Sequence, residues 1–302
     1  MAISTPARSA QKAVAQLTQP DRRQGKERAF AVLLFVMTGV AVLVLGVLIV
    51  DILIDGTGRL SLEFITSYAS RFAERTGVRA GLTGTLSLMV LTAVVAFPIG
   101  VGAAIYLEEF APDNRLTRLM EANIANLAGV PSVVYGLLGA AVFVYMFGLG
   151  RSLLSGALTL SLLVLPVIIV AGRESIRAVP RAIRDGGLAL GATPWQVTSR
   201  QILPAALPGI LTGTILALSR AIGETAPILV VGAVFSRRAD NEPWYFLEAF
   251  TALPVQIYNF VSRPQEGFKI DAASAGIIVL LVVLLAMNSI AIVVRNRFSR
   301  RF

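Results

Sequence analysis

Six apolar runs, each about 20 residues or longer, set the terms for this chain; they lie near 29–54, 81–107, 124–148, 153–172, 209–235 and 272–294. A hydrocarbon layer ~30 Å thick takes about 20 residues of α-helix to cross, and lipid offers no partner to an unpaired backbone group. The runs predict an all-α polytopic membrane protein with six transmembrane helices in one domain over 29–302, behind a basic polar tail over 1–28. The first run is too long for the core of a cleaved leader. A hydrophobic content of 55% and a mean hydropathy of +0.73 agree with this class and not with a soluble domain.

The net charge of +9 would point to nucleic acid in a soluble protein. Here the basic residues lie between the apolar runs, so topology accounts for them and no nucleic-acid partner is expected. With six crossings, 17 of the 27 Lys and Arg residues fall on the side of the termini and of the 173–208 loop, and 9 on the other. The positive-inside bias then places both termini and that loop in the cytoplasm of an inner-membrane protein. The chain has no Cys and no His, so thiolate or imidazole metal sites, disulfides and His-based catalysis are excluded, and no metal or cofactor is expected. The one Gly-Lys pair, Gly25-Lys26, is followed by Glu27 and makes no phosphate loop. Any ATP used with this chain is hydrolysed by another, and with no acid pair inside a span the chain is not expected to be an enzyme.

Residues 173–208 are the longest polar interruption near the middle of the sequence. Pro180 suits the first turn of a helix, and Ile183, Leu188 and Leu190 interleave with Arg181, Arg184 and Asp185 to give it one dry face. Gly191 fits a left-handed helix end. Thr193, Pro194 and Gln196 form a capping box for a second short helix, which Pro204 and Pro208 are expected to stop. The product is a helix–turn–helix knob suited to a groove on a partner, although an amphipathic loop resting on the membrane would share its shape.

Arg220 and Glu224 are the charged residues well inside a run, with Arg220 ~15 Å along a helix expected to carry it near its middle. An isolated charge there costs at least ~2.5–3.5 kcal/mol. The Arg-before-Glu order is the weaker i,i+4 arrangement, so helix stabilisation alone explains the pair poorly. Handling of an anion, a structural ion pair and a bridge to another subunit all fit. The tract from Asn126 to Gly136, with Gly129 and Pro131, is expected to break its span near the start and to pack as a small-residue seam. Residues 55–80 suggest a short amphipathic piece near Leu62–Phe72. Residues 236–271 suggest a polar loop with Trp244, Tyr245, Phe246 and Tyr258 as interfacial anchors.

The spacing of Gly191, Leu203 and Pro204 resembles the Glu-Ala-Ala loop of ATP-binding-cassette permeases, with Asp185-Gly186-Gly187 in place of Glu-Ala-Ala and Gln201 in place of Ile. The segments Arg220-Ala-Ile-Gly-Glu-Thr-Ala-Pro227, Glu108-Glu-Phe-Ala-Pro112 and Gly129-Val-Pro-Ser-Val-Val-Tyr-Gly136 resemble the PstA branch of the phosphate-specific permeases, over about residues 81–235. That resemblance implies a MetI-like type I importer fold with a cytoplasmic coupling loop. It implies ATPase coupling through the 180–207 segment, with Asp185, Gly191, Leu203 and Pro204, and a substrate pathway at Arg220 and Glu224. The implied partners are a PstC-like permease paralogue, a PstB-like ATPase dimer and a PstS-like phosphate-binding protein, all at a lipid bilayer. The sister PstC-type subunit is the alternative, which the Glu108 tract disfavours. A secondary anion transporter would also explain Arg220 but leaves the knob without a role.

Overall fold

Apolar segments that must satisfy their own backbone groups become helices. The computed structural model, which describes residues 22–234 and 246–298, has twelve α-helices and no strand among the described residues. The long ones are α1 (Arg22–Thr57), α3 (Arg79–Ile105), α6 (Leu153–Arg177), α9 (Leu203–Ile222) and α12 (Ala273–Phe298), with α2 (Leu62–Thr66) between the first two. Counted with the π turns that extend them, five helices are long and apolar enough to cross a membrane. The sixth candidate is bent by 106°, where α4 (Arg115–Leu127) meets α5 (Ser132–Gly139) and the π segment after it. Pro131, which has no N–H to give, caps α5. Residues 115–123, expected as loop, are part of α4.

The chain divides into two units at Asp51. The first carries α1 up to that residue. Its apolar side chains, among them Phe35, Leu43 and Leu48, are exposed all round the helix, as on a lipid-facing span.

The second unit is organised on α6. Leu88 of α3, Leu160 and Ile168 of α6, and Ala217 and Ile222 of α9 are fully buried in one cluster. Close approach of α6 and α9 needs a small residue: a Cβ on Gly213 would lie 2.2 Å from that of Ala171. α9 and α12 are joined by polar contacts as well, Ser219 to the Asn288 side chain and Arg295 Nη1 to Thr212 Oγ1 at 3.3 Å. A second cluster lies at the α3 N-terminal end, where Phe64, Leu253, Phe260 and Phe268 are buried.

Three sequence expectations fail here. Pro204 and Pro208 do not stop a helix. α8 (Pro194–Val197) runs through a π turn (Thr198–Ile202) into α9, with Pro204 in its first turn and Pro208 inside it. The widened turn puts the proline where a missing N–H has no partner to lose. The run expected to continue to 235 ends as helix at Ile222; Gly223 closes it, and α10 (Ala226–Val231) is a separate short helix. The supposed polar loop over 236–271 contains α11 (Leu253–Val261), with Leu253, Val255 and Phe260 buried. Its flanking polar residues masked an apolar core segment. Of the four expected anchors, Trp244 and Tyr245 lie outside the described residues, and Phe246 and Tyr258 are exposed.

Candidate functional site

Arg220 lies in the last turn of α9, not at its middle, and Glu224 lies beyond the helix end. The pair meets across that end, Arg220 Nε to Glu224 Oε1 at 3.5 Å, with side chains 58% and 18% exposed. Ending the helix there supplies what the sequence left unexplained, because the free carbonyls of a helix C-terminus favour a cation in its last turn. Both terminal nitrogens of the guanidinium remain without a hydrogen bond to any described residue. Its level in the bilayer is set by α6: Leu163, Val164 and Val167, the middle of that helix, line a cleft with Arg220 and Ala217.

The far wall of the cleft is Leu127, Ala128, Val130 and Tyr135, from the break between α4 and α5. Tyr135 Oη donates to the Leu127 carbonyl at 2.8 Å and ties the two sides of the break. The Asn126–Gly136 tract therefore borders Arg220 as well as packing, which it does where Gly136 meets Pro227. Only its distance in sequence from Arg220 hid this. The cleft has a volume of about 10 Å³, roughly one water molecule. A larger cavity of about 440 Å³, lined by Arg71, Glu74, Arg75 and Phe268, lies at the opposite end of the molecule from 180–204. Size alone would nominate it, yet its charges are mixed and it is remote from Arg220, so we give the smaller cleft precedence.

The knob is built as its residues dictate. α7 (Arg181–Ala189) ends at a left-handed Gly191 (φ +84°), and Thr193 and Gln196 complete the capping box of α8. Its inner face is held by Val197 and Ile202, buried with Ile176 of α6 and Ala104 of α3, each worth ~1.5–3 kcal/mol. Its outer face carries Asp185, Gly191 and Trp195, all exposed, and Leu190, 89% exposed. Leu203 and Pro204 are half-buried at the start of α9, away from that tip. The candidates thus separate into a presented tip and a root.

Sequence reasoning missed a second attachment. Residues Tyr106–Phe110 extend α3 as a π turn, and there Glu109, 6% exposed, receives two hydrogen bonds from Arg184 of the knob, Nε to Oε2 at 3.1 Å and Nη2 to Oε1. The hydrogen bond it donates to Glu109 holds the Arg184 pKa above its ordinary value against the opposing effect of burial. Beside it, the Phe110 and Trp195 rings meet at a 40° tilt with centroids 6.2 Å apart. The doubled acid Glu108-Glu109 followed by an aromatic was the available signal. Four arginines in 173–184 were its natural partners.

Residues 96–302 match the family model described as "Binding-protein-dependent transport system inner membrane component". The chain is 35% identical over 226 residues to the phosphate transport system permease protein PstA 1 of Mycobacterium tuberculosis (strain H37Rv), covering 74% of this chain and 71% of that one. It is 31% identical over 246 residues to the probable ABC transporter permease protein YqgI of Bacillus subtilis, covering 78% and 84%. In fold it is similar to the inward-facing MetNI methionine ABC transporter (TM-score 0.60, 18% identity, covering 74% of this chain and 96% of that one). A bacterial alginate ABC transporter is similar too (TM-score 0.61, 14% identity, covering 90% and 96%).

Proposed function

The chain belongs to the inner-membrane components of binding-protein-dependent transport systems, and on that premise we propose that it is the PstA-type permease subunit of an ATP-driven phosphate importer. Phosphate comes from the named relatives. One structural observation makes it chemically apt: the Arg220 guanidinium, deep along a membrane helix, keeps its outer fork free while Glu224 touches only its inner nitrogen. A guanidinium fork fits two oxygens of a tetrahedral anion. Glu224 lowers the cost of the empty state and keeps binding weak enough for release. Arg220 and Glu224 are the substrate-path residues.

In this proposal the 180–207 knob faces the cytoplasm and docks a separate ATPase subunit. Leu190, Trp195 and Asp185 form the presented tip, Gly191 provides the turn, and Leu203 and Pro204 are the root that passes motion into α9. A PstC-like paralogue completes the pathway, a PstB-like ATPase dimer drives it, and a PstS-like binding protein delivers phosphate outside. The chain itself does no covalent chemistry.

The test is phosphate uptake by the assembled complex with Arg220→Ala. Loss of a charge-assisted contact to the anion predicts a fall of roughly 10- to 100-fold, with ATPase docking and membrane levels retained. Uptake unchanged under those conditions overturns the assignment.

A further inference from the structure

Two kinds of charged residue surround the cavity of about 440 Å³ at the end of the molecule away from the knob. The first kind builds its walls. Arg59 Nη2 donates to the carbonyls of Ala73 at 3.0 Å and Thr76 at 3.1 Å, and to that of Glu74, which holds the 3-10 turn Ala73–Arg75 in place. Arg263 gives its Nε to Asn259 of α11 at 3.2 Å and sets its guanidinium 4.3 Å from the centre of the Phe268 ring. Phe268, buried and 5.8 Å from Phe260 between centroids, is an apolar part of the lining. The second kind is left over. Arg71, Glu74 and Arg75 line the same cavity, yet their side chains make no ion pair or hydrogen bond with one another or with any other described residue.

The second wall sets the height of the cavity in the bilayer. Gly267 opens the last apolar span, Gly267–Arg297. A Cβ on Gly267 would come 3.0 Å from that of Ala73, so the two walls touch at the level where that span begins. The span Arg79–Phe110 starts four residues after Arg75. Outside the hydrocarbon core a bilayer has a polar headgroup layer of roughly 5–8 Å on each side, and the cavity lies at that level. Aromatic side chains collect there, and Phe72, 67% exposed, stands with Phe268 in the lining.

We propose that this cavity binds the headgroup of a phospholipid that carries both a phosphate and an ammonium, of the phosphatidylethanolamine type. The phosphodiester takes the Arg71 and Arg75 guanidinium groups, which match it in charge and in donor geometry. Glu74 takes the ammonium, and Phe72 and Phe268 take the glycerol end. A plain anion would meet the Glu74 carboxylate and a plain cation the two arginines, whereas a zwitterion meets neither repulsion. The volume lies within the roughly 300–1,000 Å³ of small-molecule sites. The inference needs only that the chain spans a membrane, and it is independent of the role given to Arg220.

The test is native mass spectrometry of the assembled complex, delipidated in detergent and titrated with phosphatidylethanolamine or with phosphatidylglycerol, which has the phosphate but no ammonium. The parent is expected to prefer phosphatidylethanolamine by about threefold, the size of effect of one exposed charge pair. Arg71→Gln combined with Arg75→Gln is expected to weaken its binding roughly tenfold through loss of charge-assisted contacts. Glu74→Gln should keep a bound lipid but lose the preference, and it decides the matter alone if the double variant does not assemble. Arg115→Gln removes an exposed cation on α4 and should change neither. Equal occupancy and preference in the parent and all variants, as when another subunit fills the cavity or lipid binds only as a belt, would overturn the proposal. Glycerophosphoethanolamine, the headgroup without acyl chains, should compete only at far higher concentration. Its binding where the lipid does not bind would make a soluble zwitterion the ligand and overturn the lipid assignment.

Discussion

At the scale of single residues, the position of Arg220 is the lesson. A guanidinium in mid-helix would have to meet its whole insertion cost through a partner, whereas one in the last turn draws on the helix carbonyls as well. That leaves Glu224 a lighter task and explains why a single 3.5 Å contact suffices. The paired glycines of the knob differ in the same local way. Nothing lies near the place of a Cβ on Gly186, but one on Gly187 would come within 2.8 Å of Val197. Gly186→Ala is expected to stabilise the protein by about 0.5–1 kcal/mol through helix propensity. Gly187→Ala forces Val197 aside and is expected to destabilise it. Thermal unfolding of the two purified variants in detergent should therefore shift Tm in opposite directions, and equal shifts would contradict the packing.

Among elements, the contact between knob and α3 can be weighed directly. Arg184→Ala strands Glu109, a carboxylate 6% exposed, and an unpaired charged group of that kind is expected to cost about 1–3 kcal/mol or somewhat more. Combining Arg184→Gln with Glu109→Gln should recover much of the loss, and a double-mutant cycle by denaturant or thermal unfolding measures how much. Between α9 and α12, Asn288→Leu removes the partner of Ser219 and is expected to loosen that seam by roughly 1 kcal/mol. Crossing helices were legible in the sequence because apolar length is a local property. So were the capping box at Thr193–Gln196 and the turn at Gly191, each set by neighbours within four residues. What was hidden depends on distant partners: the Glu109–Arg184 pair joins positions 75 apart, and the wall opposite Arg220 comes from another helix pair. Pro204 misled because a π turn, which no local pattern announces, changes which donors a helix needs, while Pro208 is simply carried inside α9.

For the molecule as a whole, the orientation in the membrane is open to cysteine labelling, because the chain has no Cys of its own. Leu190→Cys at the knob tip and Phe72→Cys at the opposite end are both exposed positions. An impermeant maleimide is expected to reach position 190 only from the cytoplasmic face and position 72 only from outside, and the reverse pattern would dismiss the knob as an ATPase dock. Between those ends, Pro194–Ile222 forms one helical rod of 29 residues, ~43 Å by the helical rise. The rod lies close against α6 at Gly213, where an added Cβ would fall 2.2 Å from that of Ala171. With that crossing as fulcrum, the arm toward Pro194 is ~29 Å long and the arm toward Arg220 ~10 Å. A swing of several ångströms at the Pro194 end then arrives at the guanidinium divided by about three, with the force multiplied in proportion. Such gearing suits the proposed role of Arg220, in which the grip on an anion is broken by a small, strong displacement.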